Sequence, residues 1–223
     1  MNKVAIIIPA FNEARRIGQV LQDLQPLNCD LIVVDDASND GTYAVAQKFA
    51  NYHTRHAVNL GQGAALKTGT DLAQKLNYDI VVHSDADGQF RVEDIKAIID
   101  KITSTDVDVV LGSRFMNVKS ESMPIKKRII LWIAKVFSKL FLKLKFSDPQ
   151  IGLRAFKTKV YHKLDWQKND FQHCSEILGL ISKNDLSFDE IPVIVNYDEY
   201  TTSKKVKPKM SMGWKLIINK FFD

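Results

Sequence analysis

The sequence of 223 residues contains only two cysteines, Cys29 and Cys174, which lie far apart and match no metal-binding spacing. It therefore holds no disulfide framework, and a reducing cytoplasm is the default compartment. No apolar run reaches the roughly 18–20 residues that a bilayer span requires. Residues 1–9 are too short for a signal peptide and are typical of a first strand, so we expect a cytoplasmic protein without a spanning segment.

The sequence also has no internal repeat, no low-complexity tract and no linker rich in proline or glycine. A chain of this length is most simply one domain, residues 1–223, which would bury about 70% of its unfolded surface. The turn at residues 9–13 has no G-x-G-x-x-G pattern, which disfavours a dinucleotide-dependent oxidoreductase.

The net charge of +5 is unevenly distributed along the chain. Residues 124–145 carry seven Lys/Arg and residues 203–222 carry six, and neither segment has an acid. The remainder has 18 basic against 26 acidic groups, a charge of −8. Because the basic residues accompany apolar ones rather than stacking aromatics, they indicate an anionic surface or ligand and not a nucleic acid.

The segment 124–146 has the pattern of a strongly basic amphipathic helix. Lys127, Arg128, Lys135 and Lys139 form one stripe, opposite a wide apolar face made of Ile125, Ile129, Ile133, Val136, Phe137, Leu140 and Leu144. Such a helix fits the interfacial zone of an anionic membrane, so we expect a protein that is peripheral on the inner face of the membrane. The alternative is a helix that packs on the core and exposes its basic side to water.

Elsewhere, short apolar runs alternate with helical patterns, which predicts an α/β fold with a mostly parallel central sheet flanked by helices. Residues 4–8 and 31–34 are continuous apolar runs, as expected of buried parallel strands. Towards the C-terminus the pattern predicts a helix over 171–181 and a last strand over 187–196.

Two carboxylates, Asp85 and Asp87, follow the apolar run at residues 80–82. In an extended chain alternate residues share a face, so both can point the same way. Carboxylates that close repel each other unless a cation lies between them, which favours Mg²⁺ or Mn²⁺ with phosphate oxygens completing its shell. The alternative is an acidic turn with a helix-capping aspartate.

A second pair of acids, Asp35 and Asp36, ends the run at residues 31–34. Open α/β sheets bind ligands at the carboxyl ends of their strands, where an acid accepts from ribose hydroxyls or base N–H groups. Turn and capping chemistry explains residues 38–42 well but explains the doubled aspartate poorly. We therefore expect the pair to contact a nucleoside.

Two further features suggest an anion at the same edge. Gly61 and Gly63 precede a helical pattern and would present free N–H groups to an anion, although ordinary turns use the same residues. Arg114 ends a predicted strand at 108–114, where it would bind a diphosphate or form a surface ion pair. His53 and His56 lack a third metal ligand, and we interpret them as surface or strand residues.

Five blocks of the sequence together resemble the family-2 glycosyltransferases, inverting enzymes of the GT-A fold. They are the opening strand and loop at residues 7–13, the acidic turn at 34–42, the glycine loop at 59–63, the D-x-D-G-Q motif at 85–89, and the block at 148–156. The resemblance implies contacts with a nucleotide-diphosphate sugar (UDP- or GDP-linked) from Pro9, Ala10, Asn12, Glu13, Asp35, Asp36, Gly63, Lys67, Asp85, Ala86, Asp87, Gln89 and Arg114. It also implies a nucleotide-sugar-binding half at residues 1–115 and an acceptor-binding half at 116–223.

Within that family, the blocks at 112–114, 148–156 and 171–194 look most like the polyprenyl-phosphate hexose synthases. The implied reaction is transfer of a hexose to a polyprenyl phosphate; the alternative is transfer to a hydroxyl of a lipid-linked or cell-surface glycan. A hydroxyl acceptor would need a base, for which Asp148 and Glu176 are the candidates. Arg128, Arg154 and Lys204 are candidates to bind the acceptor phosphate or the second phosphate of the donor. Homo-oligomerisation is left open.

Overall fold

The computed structural model describes residues 2–116, 146–148 and 150–196. Within them seven strands form one sheet in the order β3-β2-β1-β4-β6-β5-β7. The strands are β1 (Val4–Ala10), β2 (Asp30–Asp35), β3 (Tyr52–Arg55), β4 (Ile80–His83), β5 (Val109–Ser113), β6 (Arg154–Lys157) and β7 (Phe188–Pro192). The helices are α1 (Ile17–Leu24), α2 (Thr42–Phe49), α3 (Gln62–Lys75), α4 (Val92–Ser104) and α5 (His173–Lys183).

The sheet is mostly parallel, as predicted. Strand β1 lies between β2 and β4 and pairs in parallel with both, and β2 pairs in parallel with β3. Strand β6 is antiparallel to its neighbours β4 and β5, while β5 and β7 are parallel. The carboxyl ends of β1, β2, β3 and β4 therefore meet at one edge of the sheet.

Alternation along the central strand divides the core into two layers. Ile6 and Ile8 of β1 belong to the cluster that includes α1 and α4, whereas Ala5 and Ile7 belong to the cluster on the opposite face. The α3 backbone approaches that opposite face closely, because a Cβ on Gly69 would lie 2.3 Å from Ile7 Cγ2. A fully buried isoleucine contributes about 1.5–3 kcal/mol, so the strand anchors both helical layers.

The predicted boundaries differ from the observed ones mainly near the C-terminus. The last strand ends at Pro192 rather than at residue 196, and beyond it Val195 makes one isolated bridge to Phe90. The N–H of Val193 still donates to the carbonyl of Ser113 at 3.0 Å, but β5 ends at Ser113, so β7 has no partner strand beyond that point. Helix α5 begins at His173, two residues later than predicted.

Several predictions lie outside the described residues. They concern the amphipathic segment apart from Phe146, the phosphate-binding roles of Arg128 and Lys204, and the acceptor-binding half as a whole. None of the helices in the described part of the chain is both long enough and apolar enough to cross a bilayer.

Candidate active site

The carboxylate of Asp85, which lies just beyond β4, is contacted from two separate segments. Gln62, at the start of α3, donates from its side-chain amide to Asp85 Oδ1 at 2.7 Å. Gly152 lies against the other oxygen, because a Cβ at that position would be 3.1 Å from Asp85 Oδ2. Burial raises the pKa of Asp85, and the charge of Asp87 raises it further, while Arg154 and the Gln62 hydrogen bond oppose the shift. The acid is therefore held in place where its negative charge is poorly compensated.

Asp87 is shaped by the turn that follows it. Its Oδ1 accepts the backbone N–H of Gln89 at 3.0 Å. Gly88 between them has φ +75°, a conformation that favours glycine. Ala86 is buried. The two carboxylates therefore flank a buried alanine, and the turn at Gly88 fixes the orientation of Asp87.

These two carboxylates fit a divalent cation that shares its shell with a phosphate ligand. Among the described residues no group of three or more His, Cys, Asp or Glu could hold a metal on its own. Mg²⁺ is commonly bound by one or two carboxylates plus substrate phosphates, so a third protein ligand is not required. A cation would also offset the repulsion that contributes to the raised pKa of Asp85. Asp85 and Asp87 would hold it.

The second acidic pair, Asp35 and Asp36, is matched by a basic pair at the end of the neighbouring strand β3. In the parallel register of β2 and β3, Asp35 lies opposite Arg55. Arg55 Nε is 3.0 Å from Asp35 Oδ2, and His56 Nδ1 is 2.7 Å from Asp36 Oδ1. Both aspartates are buried. Asp35 and Asp36 therefore both have partners within the protein, which the prediction of a nucleoside-binding pair did not include.

The predicted anion cradle of the glycine loop is corrected by the structure. The N–H of Gly61 donates to Asp36 Oδ2 at 2.7 Å, and the N–H of Gly63 donates to the carbonyl of Asn169 at 2.7 Å. A Cβ on Gly61 would lie 2.4 Å from the Asn169 oxygen, and one on Gly63 would lie 2.3 Å from the Lys168 oxygen. The glycines thus permit close packing, and their N–H groups bond within the protein.

The segment that packs on these glycines, residues 165–170, is named the strap. Trp166 Nε1 donates to the carbonyl of Gly63 at 2.9 Å. Lys67, expected to bind substrate, instead places Nζ 2.6 Å from Asp165 Oδ1 and 3.1 Å from the Trp166 carbonyl. Lys67 therefore ties α3 to the strap.

Glu176, a candidate base, also serves the strap. Its two carboxylate oxygens accept the backbone N–H groups of Gln167 at 3.0 Å and Lys168 at 2.8 Å. Both oxygens of this carboxylate thus hold the chain that covers the glycine loop. Its role as a base is not supported by this geometry.

The other candidate base, Asp148, forms a two-pronged ion pair with Arg114. Arg114 Nε and Nη2 each lie 2.7 Å from one oxygen of the carboxylate. Asp148 is buried and also accepts the backbone N–H of Gln150 at 3.2 Å. The ion-pair alternative for Arg114 is therefore the observed one, although its partner is buried rather than on the surface, and Asp148 is engaged as an acceptor.

Arg154 lies buried at the start of β6 rather than open to an acceptor. Its guanidinium approaches the carbonyl of Gly152 at 3.3 Å, His173 Nε2 at 3.3 Å and Cys174 Sγ at 3.2 Å. His173 Nδ1 donates to the carbonyl of Asp170 at 2.7 Å, so its Nε2 accepts from Arg154. Burial, followed by Arg154, lowers the pKa of His173 to about 4. Arg154 thus lies behind Gly152 and lowers the pKa of Asp85 through its charge.

The opening loop after β1 is joined to the turn after β2. The carbonyl of Ala10, which follows Pro9, accepts the N–H of Asp36 at 2.8 Å. Asn12 has φ 55°, and its side chain accepts the N–H of Asn39 at 3.0 Å. The N–H of Glu13 donates to Thr42 Oγ1 at 2.8 Å. These contacts place the loop at the same edge as Asp35. The turn interpretation of residues 38–42 is supported, because Asp40 Oδ1 accepts the N–H of Thr42 at 3.1 Å. The capping interpretation is not, because the N-cap of α2 is Gly41 and has no side-chain capping hydrogen bond.

Two residues of this edge were missed from the sequence. His56 was interpreted as a surface or strand residue, yet its ring bonds to Asp36 and to Thr68. Gln62 was not singled out, yet it bonds to Asp85. The available signal was the Arg55-His56 pair, which follows the acidic pair Asp35-Asp36 by 20 residues. In the sheet, Arg55 lies opposite Asp35.

The fold is that of the GT-A glycosyltransferases. Glucosyl-3-phosphoglycerate synthase from Mycobacterium tuberculosis, solved in complex with Mn²⁺ and UDP-glucose, superposes with a TM-score of 0.67 at 17% identity. The alignment covers 97% of this chain and 77% of that one. At this identity the likeness establishes the fold alone.

Sequence similarity assigns the family. Residues 5–165 match the model described as "Glycosyl transferase family 2", and the chain belongs to that family. It is 32% identical to the UDP-N-acetylglucosamine–dolichyl-phosphate N-acetylglucosaminyltransferase of Methanococcus voltae, over 90% of this chain and 88% of that protein. It is 27% identical to the polyprenol monophosphomannose synthase of Mycolicibacterium smegmatis, over 91% of this chain and 80% of that protein.

Proposed function

We propose that this protein transfers a sugar of the hexose class from a nucleotide-diphosphate donor to a polyprenyl phosphate, with inversion at the anomeric carbon. The observation that carries the proposal is the pair Asp85 and Asp87 at the carboxyl end of β4, beside the acidic pair that ends β2. The relatives named for dolichyl-phosphate and polyprenol acceptors support the acceptor class. Because their names specify different sugars, the sugar itself is not assigned.

The donor is proposed to lie along the edge from Asp35 to Asp87. Asp36 accepts three internal hydrogen bonds, and a carboxylate has about four lone-pair sites, so one remains for a nucleoside N–H or hydroxyl. Asp85 and Asp87 would hold Mg²⁺ or Mn²⁺ against the diphosphate. A bound cation of this kind neutralises the charge that builds on the departing nucleoside diphosphate. Gln62 and Gly152 keep the Asp85 carboxylate aimed at that position.

The engaged carboxylates favour a phosphate acceptor over a hydroxyl. A hydroxyl must lose a proton to attack, whereas a lipid phosphate is already an anion at neutral pH and needs little help from a base. Both expected bases are committed elsewhere, Asp148 to Arg114 and Glu176 to the strap. Arg128 and Lys204 are proposed to gather the acceptor phosphate, and the basic segments are proposed to hold the protein at an anionic inner membrane surface.

The metal role is tested by replacing Asp87 with alanine. We expect Asp87→Ala to lower sugar transfer at least about 10²-fold, because the developing charge loses its counter-ion. Asp100→Ala is the matched control, since that exposed acid pairs only with Lys96 on α4 among the contacts described. Circular dichroism should show both variants folded. Undiminished transfer by Asp87→Ala with all divalent metal chelated would exclude the proposed role.

The acceptor is tested with defined substrates. UDP-N-acetylglucosamine, UDP-glucose and GDP-mannose are each offered with undecaprenyl phosphate, dolichyl phosphate or a lipid-linked disaccharide. We expect transfer to a prenyl phosphate with at least one donor. Transfer to the disaccharide alone would replace the proposal by the hydroxyl-acceptor alternative.

A further inference from the structure

We propose that His56 is a positioning residue of the donor site and acts through Asp36 on the glycine loop, residues 59–63. The inference rests on the proposed function, because it takes a nucleoside diphosphate as the ligand of the edge from Asp35 to Asp87, which this loop adjoins through its bonds to Asp36. His56 follows β3, and its backbone N–H donates to the carbonyl of Asp35 at 2.9 Å. This hydrogen bond fixes the backbone of His56 beside the end of β2, and so limits where its imidazole ring can lie.

The ring connects the acid of β2 to helix α3. Nδ1 lies 2.7 Å from Asp36 Oδ1, and Nε2 lies 2.9 Å from Thr68 Oγ1. Only 10% of the side chain is exposed. An imidazole bonded at both nitrogens and largely buried has one orientation, so the ring is a rigid spacer between the strand and the helix.

Asp36 transmits that position to the loop. The oxygen that meets His56 also accepts the N–H of Leu60 at 2.9 Å, and the other oxygen accepts the N–H of Gly61 at 2.7 Å. The side-chain amide of Asn59 donates to the Asp36 carbonyl at 3.2 Å. Without the ring, one oxygen of a carboxylate that is 4% exposed loses its side-chain donor. The carboxylate can then rotate, and the two loop amides move with it.

The role of the ring is geometric and does not depend on one charge state. Nδ1 carries a proton when it donates to the carboxylate, in the neutral ring as well as in the imidazolium. Nε2 accepts from the Thr68 hydroxyl in the neutral ring and donates to it in the imidazolium. The hydroxyl can serve either case, because it rotates.

Two amide substitutions separate the two nitrogens. The asparagine amide places its nitrogen near the position of Nδ1, and the glutamine amide reaches that of Nε2. His56→Asn therefore retains the donor to Asp36, and His56→Gln removes it. His53→Gln is the matched control, since His53 lies three residues earlier on β3, opposite Val33, and packs edge-on against Tyr43.

The readout is the dissociation constant of UDP and of GDP with MnCl₂, measured by calorimetry, together with KM and kcat for the donor that the wild type uses. We expect His56→Gln to weaken nucleotide binding and raise KM about 10-fold or more, with kcat at saturation within about three-fold of the wild type. His56→Asn and His53→Gln should stay within about three-fold of the wild type in both.

Every other result contradicts either the proposed function or the role of His56. A wild type that binds neither nucleotide refutes the proposed function itself. A wild type that binds, with His56→Gln binding equally well, overturns the role of His56 alone. Equal weakening by both amides shows that the donor to Asp36 is not what positions the loop, and also overturns the proposal. Should His56→Gln not fold, Thr68→Val removes the second anchor of the ring; about three-fold weaker binding is then expected, and unchanged binding contradicts the proposal.

Discussion

Asp85 illustrates how a single carboxylate depends on residues that are distant in the chain. Gln62 donates to one oxygen, and Gly152 leaves just enough room for the other. Arg154 lies behind Gly152 and partly offsets the charge. Glycine is needed at position 152 because the backbone there lies close to the Asp85 carboxylate, and a Cβ would crowd it. The reason is the lack of space and not an unusual backbone conformation.

Gly152→Ala should impair the site more than the fold. The added Cβ would lie 3.1 Å from Asp85 Oδ2, so the carboxylate must yield by a few tenths of an ångström. Small displacements of aligned groups are costly to catalysis. We expect kcat/KM for transfer to fall about 10-fold and the Mn²⁺ concentration for half-maximal activity to rise, with a thermal midpoint within a few degrees of the wild type.

Gly112→Ala is the matched control for that substitution. Its Cβ would be equally crowded, at 3.1 Å, but by Val193 Cγ1 rather than by a carboxylate. This variant should lose stability and keep the Mn²⁺ dependence of the wild type. If the two alanines altered the Mn²⁺ dependence alike, general crowding and not Asp85 would be responsible.

For individual residues, the sequence predicted which acids lie at the carboxyl edge of the sheet but not what they bond to. The D-x-D spacing and the apolar run before it place Asp85 and Asp87 correctly, since both signals are local. Asp148 was expected to act as a base, but its partner Arg114 lies 34 residues away. A pairing over that distance is set by tertiary packing, which the residue types do not reveal.

The strap and helix α3 form the clearest contact between elements at the site. Trp166 and Asn169 bond to Gly63 through its carbonyl and its N–H respectively. Glu176 of α5 holds the strap from the other side through two backbone N–H groups. Helix α5 is thus connected to the glycine loop through the strap. A substitution in α5 or in the strap should therefore shift the loop.

Two glycine-to-alanine substitutions in helices should have opposite effects on stability. In Gly63→Ala the Cβ would meet the Lys168 carbonyl at 2.3 Å, so the strap must move. In Gly179→Ala, on the exposed side of α5, nothing lies within 4 Å. We expect Gly63→Ala to lower the free energy of unfolding by about 2 kcal/mol or more, and Gly179→Ala to raise it by up to about 1 kcal/mol.

Urea unfolding followed by circular dichroism measures both changes, and nucleotide binding is measured alongside. Gly63→Ala should also weaken UDP or GDP binding, whereas Gly179→Ala should leave it unchanged. A Gly63→Ala protein as stable as the wild type would show that the strap does not rest on α3 in solution.

Sequence periodicity predicted the elements but not their neighbours. The apolar runs gave the strands and the parallel sheet, because burial on both faces leaves a local signature. The interpretation of Gly61 and Gly63 as an anion cradle was wrong, because the N–H of Gly61 bonds to Asp36 and the N–H of Gly63 bonds to Asn169 of the strap, which also fills the space beside both glycines. Local propensity cannot show which distant segment covers a helix start.

The whole molecule separates its charge along the chain. Two acid-free segments, 124–145 and 203–222, hold 13 of the 31 basic residues, while the remainder has a charge of −8. The acidic pairs of the sheet edge belong to that remainder. A negatively charged body would be repelled by an anionic membrane, so attraction to such a surface must come from the basic segments.

Binding to anionic vesicles should therefore depend on charges in residues 124–145. Each Lys or Arg near such a surface contributes about 1 kcal/mol. Replacing Lys126, Lys127 and Lys135 by glutamine should thus weaken binding to phosphatidylglycerol vesicles roughly 100-fold at low ionic strength. The difference should shrink as salt rises, because the Debye length falls to about 8 Å at 0.15 M. Vesicle co-sedimentation across a salt series measures both effects.

The control replaces three lysines of the acidic body, Lys48, Lys75 and Lys183, by glutamine, which changes the net charge equally. If net charge alone governed binding, the two triple variants would weaken it alike, and the role of the basic segment would be refuted. UDP or GDP binding with MnCl₂ should be unchanged in both variants, because none of the six lysines is placed at the donor edge. A loss confined to the first variant would assign membrane attraction to the segment itself, since local charge density and not total charge sets the potential close to the lipid.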